Sequence, residues 1–195
     1  ANNCYEHHIH LANYMEKFME AYPDDPKFAL TWASYLAHDN ANLPFHADAY
    51  FHDYFEKNRE EFDNSFIFFM GDHGLRFGKM RWTDVGQRDV NNPMLQLSIP
   101  RSLRSNKHLM ANLARNSDEL VTMFDVHATF IDILQHLAKP WAVNGDFTKT
   151  MQNTGLRGSS LFRPLPLGPR TCKHLPIPVQ YCLCEISKTK VQLNS

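Results

Sequence analysis

Four residues, Gly71-Asp72-His73-Gly74, follow the strongest short apolar run of the chain, residues 66–70. A carboxylate offers a hard oxygen and an imidazole a nitrogen, the donor pair that suits zinc, manganese or a related divalent ion. The flanking glycines let the backbone turn sharply and let a ligand come close. The same residues also suit a plain strand-end turn in which Asp72 closes an Asx-turn, and two donors do not complete a metal site. Just beyond lie Arg76, Lys79, Arg81 and Arg88, offset by Asp84 and Asp89. Beside a metal such a cluster suits a phosphate or sulfate oxyanion; without one it is a solvated loop of mixed charge. A third feature is His38-Asp39. His127 reads as a capping or packing residue, and His7, His8, His10, His46 and His52 fall on expected helices without the HExxH arrangement of a helical zinc site.

The elements that must position these residues follow from periodicity. Leu11, Tyr14, Met15, Phe18 and Tyr22 recur at helical spacing and predict a helix over 5–22, stopped by Pro23-Asp24-Asp25-Pro26. Phe28, Leu30 and Trp32 alternate and predict a strand running to Ala37. Residues 46–62 read as an amphipathic helix, and 65–70 as a strand apolar on both faces. Strand, helix and strand in that order predict a right-handed crossover between parallel strands. His38-Asp39 and Asp72-His73 then emerge at one carboxyl edge of the sheet, where open α/β sheets bind ligands. A further strand is expected over 93–99, a polar helix over 102–115, and a helix over 126–137 capped by Asp125.

The 195 residues carry 43 % hydrophobic and 21 % charged side chains, a globular mix that excludes disorder and collagen. Twenty Lys and Arg stand against 21 Asp and Glu, for a net charge of −1, which argues against a broad nucleic-acid or anionic-membrane surface. No apolar run approaches the ~20 residues of a membrane helix. Residues 1–138 read as one α/β domain. Residues 139–195, where six of the 11 prolines fall, read as a loop-rich extension. Cys172, Cys182 and Cys184 lie in that extension and Cys4 near the start. An even count in a segment poor in core residues points to disulfides and a secreted or secretory-lumen setting. Cys182 and Cys184 are too close in sequence to bond each other without strain, so one of them is expected to reach Cys172 or Cys4. Zinc held by the tail cysteines is a further reading, without the paired CxxC spacing.

Several stretches together carry a resemblance. Residues 66–74 resemble the strand and metal-binding Asp-His-Gly of the alkaline phosphatase superfamily, in its sulfatase branch. Residues 81–88, leading to Asn92-Pro93-Met94-Leu95, resemble the basic loop and following strand of sulfatase-like proteins, and residues 124–134 resemble a later helix. Leu36-Ala37-His38-Asp39 resembles the strand-end His that faces the substrate oxyanion. In the tail, Gly158-Ser159-Ser160-Leu161, Arg170-Thr171-Cys172 and Tyr181-Cys182-Leu183-Cys184 resemble an animal sulfatase-like family, common in nematodes and insects, catalogued as a domain of unknown function.

The resemblance implies an α/β fold with a mostly parallel sheet flanked by helices. It implies one divalent metal ion (Ca, Mg, Mn or Zn) on Asp72 and His73, and an oxyanion pocket using His38 with Lys79 or Arg81. The substrate implied is a small anionic ester, or a sulfated or phosphorylated glycan or lipid; no nucleic acid is expected. The superfamily's early Asp ligand and its Thr, Ser or formylglycine nucleophile have no counterpart before His38. The chain therefore resembles the C-terminal half of such a domain, expected to be inactive alone. The alternative is a secreted, non-catalytic interaction module that keeps the fold.

Overall fold

The structure, a computed structural model, describes residues 5–40, 42–137, 144–151 and 155–183. The chain divides into two compact units, Ala1–Phe62 with Phe69–Leu95, and Asp63–Phe68 with Gln96–Ser195.

In the first unit, α1 (His7–Ala21) ends just before Pro23, as its periodicity requires. A short α2 (Ser34–Ala37) precedes α3 (Leu43–Lys57), whose proline sits in the first turn, where a missing N–H costs nothing. Residues 46–62 are thus not one helix: α3 ends at Lys57, and a separate α4 (Arg59–Asp63) follows. The polar tie between α1 and the end of α3 is Glu16, which accepts from Lys57 Nζ at 2.9 Å and from Asn58 Nδ2 at 2.9 Å. Burial pushes the Glu16 carboxyl up, but these donors outweigh it and hold the group below its ordinary 4.5. The His8 ring is buried, 5.3 Å from Tyr50 and 5.7 Å from Phe51. Phe51 and Phe55 reach Phe69 at 5.5 and 5.8 Å, so the apolar face of α3 meets the first strand, β1 (Ile67–Met70).

The second strand, β2 (Leu95–Ser98), pairs with β1. Gly71 N–H, just past the end of β1, donates to Met94 O, just before the start of β2, so the two run antiparallel. This corrects the expected parallel sheet: among the described residues the sheet has these two strands alone. The strand expected from Phe28 to Ala37 is absent. Residues 28–33 join no ladder and 34–37 turn into α2. The alternation of Phe28, Leu30 and Trp32 is that of a strand, but a strand exists only where a neighbour takes up its N–H and C=O groups. All three side chains lie exposed. Without that strand there is no parallel crossover to carry His38 to the edge where Asp72 stands.

In the second unit, Ile99, Leu103, Leu109, Leu137, Phe147 and Phe162 form the core, with Phe66, Phe68, Leu97, Leu113 and Ile133 packed on it. The helix expected over 102–115 divides into a 3-10 turn (Arg101–Ser105) and α6 (Lys107–Asn116), capped by Asn106, whose side chain accepts from Leu109 N. Thr122, not Asp125, is the N-cap of α7 (Met123–Asp132), which runs on as a π-helical turn, Ile133–Leu137. Asp125 is instead the third residue of a capping box with Thr122.

The loops after residue 143 are built into this core. Asn112 Nδ2 donates to Phe147 O and Phe162 O, and Asn116 Nδ2 to Leu161 O and Arg163 O, all within 3.0 Å. Fully buried Asp132 takes a two-pronged contact from Arg163, Nε to Oδ2 at 2.8 Å and Nη2 to Oδ1 at 2.9 Å. Asp125 Oδ2 receives Arg170 Nη2 at 2.8 Å, and its Oδ1 receives Ser159 N–H at 2.9 Å. Gly158 lies so close to α7 that a Cβ there would stand 2.0 Å from Phe124 O. The cysteines alone do not hold the extension. A Cys172–Cys182 disulfide is present, matching the expected pairing, but two buried phenylalanines and these polar bonds hold it as well. Cys4 and Cys184 lie outside the described residues.

Candidate metal and anion site

β1 delivers Gly71 to Gly74 directly from its carboxyl end. The Gly71 hydrogen bond to Met94 O fixes where the loop begins, and Gly74 N–H donates to Val90 O at 3.0 Å where α5 (Asp84–Asn91) ends. Both ends of the Asp72-His73 segment are therefore tied to backbone. Within it, Asp72 Oδ1 accepts the His73 N–H at 3.0 Å. His73 Nδ1 lies 2.8 Å from Gly74 O, which can only accept, so Nδ1 carries the proton. A neutral His73 then has its free lone pair on Nε2, which stands 3.3 Å from Asp72 Oδ2.

That separation tests the pair against a metal. Two donors each ~2.05 Å from a zinc-sized ion, at the tetrahedral angle, stand about 3.3 Å apart. Metal-bound histidines also donate their second ring N–H to an acceptor such as a backbone carbonyl, as His73 does here. The pair fits as half of a site. Among the described residues no group of three or more His, Cys, Asp and Glu comes together, so no further donors of these types join it there.

His38 lies at the end of α2 rather than at a strand end. Its Nδ1 stands 2.6 Å from Asp39 Oδ1, which orients the exposed ring, and the ring centroid lies 5.5 Å from Phe77. His38 therefore packs against the loop that carries Asp72 and His73, four residues beyond His73.

Lys79 and Arg81 lie on a 3-10 turn (Lys79–Trp82) that α5 holds in shape. Thr83 Oγ1 donates to Met80 O at 2.7 Å and accepts from Gly86 N at 3.0 Å, and so closes the turn and caps α5 together. Gly86 is buried against the turn; a Cβ there would stand 1.9 Å from Met80 O. The turn is seated on backbone, and its side chains project from it. The Arg81 guanidinium lies 5.2 Å from the Trp82 ring centroid. The basic residues here stand out by charge in the sequence; Thr83, Gly86 and Phe77, which shape the turn and seat His38, do not. Thr83, three residues before Gly86 at the head of a polar helix, was the available signal.

The family model described as Protein of unknown function (DUF229) matches residues 1–195. No curated protein and no solved structure matches the chain.

Proposed function

We propose, on the premise that the chain belongs to the DUF229 family, that it forms the C-terminal part of a sulfatase-like domain of the alkaline phosphatase superfamily, acting on phosphate or sulfate esters. The observation that carries this reading is the preset pair of Asp72 Oδ2 and His73 Nε2, 3.3 Å apart at a strand end, with the imidazole tautomer fixed from behind. A divalent ion held there supplies Lewis-acid polarisation of an ester oxygen. This chain's own residues hold the ion with half a ligand set. They present His38, oriented by Asp39, beside the same loop, and offer Lys79 or Arg81 to the negative oxygens of the ester. The nucleophile belongs to another part of the complete protein, and this chain alone is inactive. The exposed Phe28, Leu30 and Trp32, alternating as in a strand, support a larger sheet in that complete protein. The Cys172–Cys182 disulfide supports a secretory setting.

The experiment is metal content and ester hydrolysis of the complete protein, with Asp72→Ala against Asp84→Ala. Loss of metal and turnover in the first variant alone is the expected result; unchanged metal in Asp72→Ala overturns the assignment. A second reading, a secreted non-catalytic module, draws on the two-donor count at Asp72 and His73. A complete protein that binds no divalent ion favours it.

A further inference from the structure

Between residues 76 and 82 stand three basic side chains, Arg76, Lys79 and Arg81, and no acidic one; Asp84 and Asp89 follow. Through Val85 the same turn exposes large apolar side chains: Phe77 is 53 % exposed, Met80 62 %, Trp82 75 % and Val85 68 %. The turn backbone is held by Thr83 and by buried Gly86, with these side chains projecting from it. Three residues per 3-10 turn place Lys79 and Trp82 on one face.

We infer that the turn around residues 76–85 docks this unit onto an anionic lipid bilayer, with Phe77, Met80, Trp82 and Val85 entering the headgroup boundary and Arg76, Lys79 and Arg81 pairing with lipid charge. Charge complementarity names the surface. The aliphatic members name the phase: Met80 and Val85 give no ring face to a base or a sugar, whereas hydrocarbon accepts them beside a tryptophan, the residue type enriched at that boundary. The contact proposed is a peripheral one, made by side chains of the turn at the interface. The overall charge of −1 spreads over the whole chain, while the docking charge is local. The inference does not rest on ester hydrolysis, which asks for only one of Lys79 and Arg81.

The test is co-sedimentation of the full chain with vesicles of phosphatidylcholine alone or with about 30 % phosphatidylserine. It compares the parent with Met80→Ser/Trp82→Ser, Lys79→Ala/Arg81→Ala and, as a control on another loop, Leu167→Ser. Near-ultraviolet circular dichroism checks that each variant is folded. Binding is expected only with phosphatidylserine and weakened by salt. It falls roughly 25-fold in the basic double variant, from about fivefold per charge, and more than about tenfold in the apolar one. The control binds as the parent does. No vesicle binding, binding indifferent to either double variant, or equal capture by soluble heparin or single-stranded DNA overturns the inference.

Discussion

Arg163→Ala isolates the polar anchor of the second unit. Asp132 is fully buried, and Arg163 supplies both of its guanidinium contacts. Truncation leaves the half-exposed His136 ring, its Nδ1 3.0 Å from Asp132 Oδ1, as the remaining side-chain neighbour of the carboxylate among the described residues. Stranding a buried carboxylate in this way costs about 3–5 kcal/mol. The same truncation removes the Arg163 bond to Asp146 O and its stacking 5.5 Å from the Phe147 ring centroid, for about 1 kcal/mol more. The expected loss is therefore about 4–6 kcal/mol, a large share of the roughly 5–15 kcal/mol that domains hold. Replacing both partners, as Asp132→Leu/Arg163→Met, removes charge and countercharge together and should come within about 2 kcal/mol of the parent. Urea unfolding at neutral pH with the disulfide intact, followed by far-ultraviolet circular dichroism, gives both numbers and their coupling. A single variant costing under about 1 kcal/mol, or a double variant less stable than Arg163→Ala, would refute the reasoning.

Three further outcomes are expected. Glu16 titrates below its ordinary 4.5 in the folded chain, so its contribution is present above that value and lost as pH falls through the lower folded one; the urea midpoint of Glu16→Gln should fall less steeply than the parent's below about pH 4.5. Burial first, then the Glu16 and Tyr50 charges, push the Tyr54 hydroxyl up to about 12, and its buried oxygen has no partner among the described residues. Tyr54→Phe should therefore leave stability unchanged or raised at neutral pH, and ultraviolet titration should show the variant lacking one phenol whose ionisation in the parent is pushed up to about 12. Cys172→Ser opens a loop of sequence separation 10, for which chain entropy gives about 2.7 kcal/mol, measurable as a lowered urea midpoint.

What local pattern determines was readable. Helical spacing found α1 and the start of α3, and the double-sided apolar run found β1. Asp-His-Gly was visible because its residue types and flanking glycines are adjacent in sequence. Residues 28–33 show the limit. Their alternation is a statement about a face, but whether a strand forms depends on a neighbour that so short a stretch cannot specify. Asp125 shows the same limit in a helix. A helix start near it was legible, but Thr122 is the N-cap, and the bond from Asp125 to Arg170, 45 residues away, left no local signal. Asp132 and Arg163, 31 residues apart, left no local trace. The tautomer of His73 depends on the Gly74 carbonyl direction, a backbone angle that composition does not encode.

The long reach of those two ion pairs sets an order of birth. α7 leaves the ribosome well before its countercharges: Arg163 follows Asp132 by 31 residues and Arg170 follows Asp125 by 45. At about 5–20 residues per second, the later partner arrives roughly 2–9 s after the acid it neutralises. Until then Asp125 and Asp132 keep their water, and the face of α7 that bears Val126 and Thr129 cannot be sealed. A nascent chain halted before Arg170 leaves Asp125 without its countercharge, so α7 waits for both arginines.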